Sequence, residues 1–218
     1  MHQTNSRNGH ASSDAVFPPE VRAQAESATP DFYAFFGYPE TLDIDLDDLQ
    51  EAFYARSRQL HPDRFARASV EDRDLSLRAS SLLNDAYRTL RDPLKRAEYV
   101  LARHGFDVGQ QRSSNVPPEL LEEVFELNMA LEELRSGDED ARGALEDART
   151  NFVAMRTEID EGLVGAFARW DVARRNRPGE DTAVSRAMLA EIRGSLNRRR
   201  YIQNLLRDVE AALAGQTA

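Results

Sequence analysis

Apolar residues spaced three or four positions apart, and cut into blocks by proline and glycine, are what most limit the folds open to this chain. Leu46, Leu49, Phe53 and Leu60 form one block, and Leu75, Leu82, Leu83, Ala86, Tyr87 and Leu90 a second. Leu145, Phe152, Met155, Ile159, Leu163 and Trp170 form a longer one, followed by Ile192, Leu196, Ile202, Leu206, Val209 and Leu213. That spacing lays one apolar stripe along each helix. Ala, Leu, Glu and Arg dominate, while runs of Val, Ile and Thr are scarce, a mix that favours helix. The expected fold class is all-α.

The punctuation gives the organisation. Residues 1–30 are polar and aperiodic and read as a flexible tail, whose His2 and His10 make a poor metal site. Asp31 caps a short aromatic helix ending at Phe36, closed by Gly37 and Pro39. The acidic run Asp45-Leu46-Asp47-Asp48 starts a helix that lasts to Leu60, because Pro62 disfavours the helical conformation at His61. A third helix covers about Glu71–Arg91. Asp92-Pro93 turns the chain into a fourth, Lys95–His104, with Gly105 as its C-cap. These make a helical hairpin with a short helix packed on it, over residues 31–105. Residues 106–115 read as a linker. Three long amphipathic helices over 116–214 predict an antiparallel three-helix bundle, broken near Gly137 and at Pro178-Gly179.

Composition excludes several classes of function. Cysteine is absent, which removes disulfides, thiolate catalysis and every cysteine-ligated zinc or iron–sulfur site. A net charge of -10 argues against general binding to nucleic acid or anionic membrane. No apolar run approaches the ~20 residues of a membrane span, and residues 1–30 lack the apolar core of a signal peptide. The expected location is cytoplasmic, and no cofactor or metal is expected.

The informative stretch is His61-Pro62-Asp63-Arg64-Phe65, in the loop of the hairpin. Pro62 fixes its own φ and lowers the entropy cost of holding one loop shape. His61 and Asp63 are compact polar groups on a stiff corner, suited to docking against a partner. Arg56, Arg58 and Arg64 surround them with positive charge that can steer toward an acidic patch. A catalytic role for His61 with Asp63 is disfavoured, since no nucleophile is identifiable. The order helix, His-Pro-Asp loop, then Asn84-Asp85-Ala86-Tyr87-Arg88-Thr89-Leu90 and Asp92-Pro93-Leu94-Lys95-Arg96-Ala97-Glu98-Tyr99 resembles a J-domain. That resemblance implies that His61, Pro62 and Asp63 engage a DnaK-class ATPase chaperone and stimulate its ATP hydrolysis, with Arg56, Arg58 and Arg64 as electrostatic support.

The chain has neither the Gly/Phe-rich segment nor the Cys-rich module that many J-proteins carry. Its opening, Asp31-Phe32-Tyr33-Ala34-Phe35-Phe36-Gly37, and its junction, His104-Gly105-Phe106-Asp107, resemble the HscB family of iron–sulfur co-chaperones. The bundle adds a separate observation. At ~100° per residue, Leu120, Val124, Leu127, Leu131 and Leu134 fall within about 40° of one line. Leu121, Phe125 and Met129 lie roughly 100–180° away from it in i, i+4 register, bordered by Glu122, Glu126 and Glu133. They cannot share that core, and an apolar strip with an acidic edge suits a partner. Tyr201 also lies off the apolar line of the last helix. In the HscB family such a patch, with an aromatic on the last helix, binds the IscU-type scaffold on which clusters form. The resemblance therefore implies scaffold binding by Leu121, Phe125, Glu126 and Tyr201, with Glu122 and Met129 at its edge.

The expected function is that of a co-chaperone, not an enzyme, which brings an IscU-type scaffold to an HscA-like ATPase. One rival is a J-domain protein with a different client. Another is a helical adaptor that binds nucleic acid through Arg198-Arg199-Arg200 with Arg174, Arg175 and Arg177. A solvated basic face pairing with nearby carboxylates is the simpler account of those arginines. His104 is expected to serve as a helix C-terminal residue.

Overall fold

The computed structural model describes residues 17–107, 116–176 and 182–215, and every regular element among them is helical. They group by contact into two compact units. One holds the described residues up to Glu40 and Ile44–Lys95, and the other holds Thr41–Asp43 and the described residues from Arg96 onward.

The first unit contains α1 (Pro19–Glu26), α2 (Phe32–Phe36), α3 (Leu46–Leu60), a 3₁₀ turn (Pro62–Phe65) and α4 (Val70–Leu90). Short polar side chains set where each helix begins. Asp31 accepts from the amides of Tyr33 and Ala34 at 2.9 and 3.2 Å, and Asp45 from those of Asp47 and Asp48 at 2.9 and 3.2 Å. Each satisfies two donors that the first helical turn leaves unpaired. Gly37 ends α2 at φ 79°, a left-handed conformation that glycine adopts without steric cost. Ser69 opens α4 by accepting from Asp72 N at 3.0 Å and returning its hydroxyl to that carboxylate at 2.9 Å. The stripes of α3 and α4 close on each other through Leu49, Leu60, Leu75, Ala79, Leu83 and Leu90, all buried. Phe53 stacks on Tyr87 with ring centroids 4.2 Å apart.

Polar composition suggested a tail as far as residue 30. From Phe17 onward the chain instead packs: Phe17 and Val21 are buried, and α1 lies against α2 and α4. Residues 1–16, with His2 and His10, lie outside the described residues, as does most of the expected linker.

In the second unit, α7 (Ala141–Asn176) and α8 (Ala183–Leu213) form a long hairpin, and α6 (Leu121–Arg135) packs against both. The three share Leu120, Leu127, Leu145, Phe152, Ile202 and Leu206. The 15 residues of α6 are far fewer than the 36 of α7. α5 (Pro93–Arg103) reaches the hairpin through Glu98, which pairs with Arg200, and His104, one residue past its end, stands edge-on to Trp170 at 6.2 Å.

Asp171 follows Trp170 on α7 and is 3% exposed. Its carboxylate accepts from Leu42 N at 2.7 Å, Asp43 N at 2.8 Å and the Thr41 hydroxyl at 2.8 Å. Buried Arg96 donates to Leu42 O at 3.0 Å. A buried carboxylate is tolerated only when its lone pairs are filled in this way. Asp171→Ala orphans buried amides and is expected to cost about 3 kcal/mol. Urea unfolding followed by the fluorescence of Trp170, the single tryptophan, checks this; an unchanged midpoint would mean the carboxylate holds nothing.

Candidate docking corner and apolar strip

The corner begins where α3 stops. Past Leu60 the chain reaches Pro62, which disfavours the helical conformation at His61 and ends α3, so the Leu60 carbonyl in the last turn has no helical donor four residues on. Two serines of α4 meet it: Ser76 donates at 2.7 Å and Ser80 at 3.0 Å. Ser76 is fully buried, so the carbonyl is paired away from water. The turn after it is short and closed, with Arg64 N on His61 O at 3.0 Å and Phe65 pointing into the core at 1% exposure.

His61 and Asp63 point the other way. Their side chains are 57% and 91% exposed. The Asp63 amide donates to His61 Nδ1 at 3.3 Å. Nδ1 also lies 3.5 Å from Asp63 Oδ2, so both contacts within the corner use this nitrogen and Nε2 takes no part in them. Asp63 presents a solvated carboxylate able to take a partner's guanidinium. Arg64 donates to the carbonyl of Arg58 at 3.2 Å, so those two exposed arginines are held side by side.

Arg56 departs from the expected positive face. Its guanidinium folds back over the Phe35 ring at 5.5 Å and is half-buried. Burial, partly offset by Glu20 and Tyr38, pulls its pKa below the usual arginine range. Its charge is turned inward, so Arg58 and Arg64 carry the exposed positive charge beside the corner.

On the second unit, Leu121, Phe125 and Met129 stand 56%, 65% and 49% exposed on α6. The stripe expected to face inward does so, with Leu120 and Leu127 buried and Val124, Leu131 and Leu134 packed against the core. Glu122 and Glu126 are exposed beside the strip. Beyond it a groove of about 380 Å³ runs between α6 and α7, floored by Leu127, Ala130 and Phe152 and edged by Glu126, Glu133 and Asp147. The α7 wall of that groove lies too far along the chain for a helical-wheel projection of α6 to include it.

Tyr201 does not stand clear in the same way. It is half-buried and packs against the bundle core, and burial, reinforced by Asp208, raises its pKa. Three consecutive arginines of the last helix pair with carboxylates: Arg198 with Glu119 at 3.7 Å, Arg199 with Asp160 and Arg200 with Glu98. Among the described residues no three His, Asp or Glu side chains come together to hold a metal, and no helix is long and apolar enough to cross a membrane.

No protein-family model matches the chain. It is 37% identical over 130 residues to a co-chaperone protein HscB homolog of Aliivibrio salmonicida, covering 59% of this chain and 75% of that protein. It is 30% identical over 164 residues to the human iron-sulfur cluster co-chaperone protein HscB, covering 75% of this chain and 68% of that protein. The solved structure of human HscB superposes with a TM-score of 0.61 at 26% identity, over 93% of this chain and 92% of that one. The chaperone HscB from Vibrio cholerae gives a TM-score of 0.56 at 28% identity, over 86% of this chain and 99% of that one.

Replacing Ser76 and Ser80 together by alanine leaves the Leu60 carbonyl unpaired and is expected to cost about 2 kcal/mol. Because the lost bonds lie under the corner, the amides of Asp63 and Arg64 should exchange with solvent faster, while those of α7 stay unchanged. Hydrogen exchange read by NMR checks both; uniform acceleration along the chain would show that the serines act on global stability alone.

Proposed function

Because the chain belongs to the HscB family of co-chaperones, we propose that it serves iron–sulfur cluster assembly by delivering an IscU-type scaffold protein to a DnaK-class ATPase of the HscA type. Residues 31–105 act as the J-domain and 116–214 as the scaffold-holding bundle. What supports this most is one chain carrying two unlike exposed surfaces on separate units: a polar corner and an apolar strip.

Each surface suits a different partner. At the corner, the His61 imidazole and the Asp63 carboxylate, two positions apart in the chain, offer a donor and an acceptor. Pro62 and the serine-bound carbonyl fix their spacing before docking, so little ordering entropy is lost on contact. Arg58 and Arg64 draw an acidic patch of the ATPase toward them and set the encounter rate. On α6, Leu121 and Phe125 bury apolar area at about 25 cal/mol per Å² when the scaffold covers them. Glu126 and Glu122 select against acidic competitors and favour a scaffold face that carries basic residues. Tyr201 contributes its exposed edge.

Holding the scaffold on the same chain as the corner makes its arrival at the ATPase effectively intramolecular, which raises its local concentration. The chain works by binding and leaves hydrolysis to the ATPase. The cytoplasm is its proposed place of action.

Two variants separate the roles. His61→Gln is expected to lower stimulation of the chaperone's steady-state ATPase at least tenfold while scaffold capture stays intact. Leu121→Ala with Phe125→Ala is expected to abolish scaffold capture in a pull-down while the chain alone still stimulates. A His61→Gln chain that stimulates like the unmodified one rules out the corner as the contact. A double variant that still captures the scaffold places binding elsewhere.

A further inference from the structure

The segment ahead of the hairpin is built into the underside of the corner. Its helix, α1, has Pro19 at the first helical position and Glu20 in its first turn, both favourable there. Phe17 and Val21, four residues apart, are 2% and 0% exposed. The Phe17 ring lies flat on Phe65, with centroids 4.6 Å apart and planes inclined by 10°. Phe65 is the last residue of the turn that begins at Pro62. The stack therefore forms the floor of the loop that carries His61 and Asp63.

The helix is fastened at both ends. Arg22 lies 5.7 Å from the centre of the Phe17 ring and 3.6 Å from the carboxylate of Asp72, the residue that Ser69 caps at the start of α4. Gln24 Oε1 accepts from Asp31 N at 2.7 Å, at the cap of α2. The corner thus has α3 before it, α4 after it and α1 beneath it.

Of these supports only α1 lies outside the hairpin that forms the corner. We propose that α1 is a brace for the docking corner and that Phe17 is a positioning residue, holding His61 and Asp63 through Phe65 in the shape that the ATPase grips. The inference rests on the corner being the ATPase contact. A loop without the brace samples more conformations and must be ordered on docking, so the cost falls on binding. The docked shape is unchanged, so the maximal stimulated rate is too.

The test titrates the cognate ATPase chaperone with the full chain and reads half-saturation and plateau separately. Phe17→Ala is expected to raise the half-saturating concentration about five- to tenfold with a plateau within about twofold of the unmodified chain. Phe17→Leu should fall between the two. Amide exchange at Asp63 and Arg64 should quicken in Phe17→Ala. Leu83→Ala, a truncation in the α4 core about two turns beyond Ser76, should leave both readouts near their unmodified values. A folded Phe17→Ala chain with unchanged half-saturation overturns the proposal, as does an equal shift from Leu83→Ala. If Phe17→Ala does not fold, Phe17→Leu is judged by the same two criteria. His61→Gln runs alongside: should it stimulate normally, the corner is not the contact, and amide exchange alone decides whether α1 braces it.

Discussion

Where α3 ends, the Leu60 carbonyl needs donors that its own helix cannot supply, and the hydroxyls of Ser76 and Ser80 provide them. Much of the first unit follows from that junction. Pro62 prevents α3 from continuing, and the serine pair meets the carbonyl left at its end. Phe65 then goes into the core, and His61 and Asp63 are left in solvent. A corner held by buried polar bonds has few alternative shapes, because breaking those bonds strands a carbonyl away from water. Under the proposed function that rigidity would have a value, since a docking surface already ordered loses less entropy when a partner arrives.

The two candidate surfaces ask for opposite chemistry in their partners. Beside the corner, Arg58 and Arg64 are exposed and Arg56 is turned onto Phe35, so the positive charge is concentrated next to the loop. Beside the apolar strip, Glu122 and Glu126 stand exposed, and the adjoining groove gains Glu133 and Asp147. On a chain with net charge -10 the local sign at the corner runs against the average. Local potential, more than net charge, governs encounter and selection. Under the proposed function, each surface would therefore disfavour the partner suited to the other.

Features governed by local chemistry were legible in the sequence. Asp31 and Asp45 cap helices, Pro62 ends one, and the offset of Leu121, Phe125 and Met129 from their core line survives as exposure. Features that depend on distant partners were not. Phe17 and Val21 sit in a polar segment, and the ring that covers Phe17 is 48 residues away. The signal at hand was local: Pro18-Pro19-Glu20 as a helix start, with apolar residues four apart around it. Nothing in the sequence sets Ser76 and Ser80 apart from the other polar positions of their helix. Nothing near Asp171 in the sequence points to its partners, because the loop that satisfies it lies about 130 residues earlier. Arg56 and Tyr201 are half-buried for a shared reason: long amphipathic side chains cover apolar surface with their bodies, so residue type alone does not give exposure.

As a proposed carrier with two separate grips, the chain is open to one direct measurement. Analytical ultracentrifugation of the intact chain with the ATP-bound chaperone and the scaffold should reveal a species containing all three proteins, more abundant than pairwise affinities alone would give. If the scaffold and the chaperone instead displace each other from the chain, the two surfaces are not separate and the carrier mechanism is wrong.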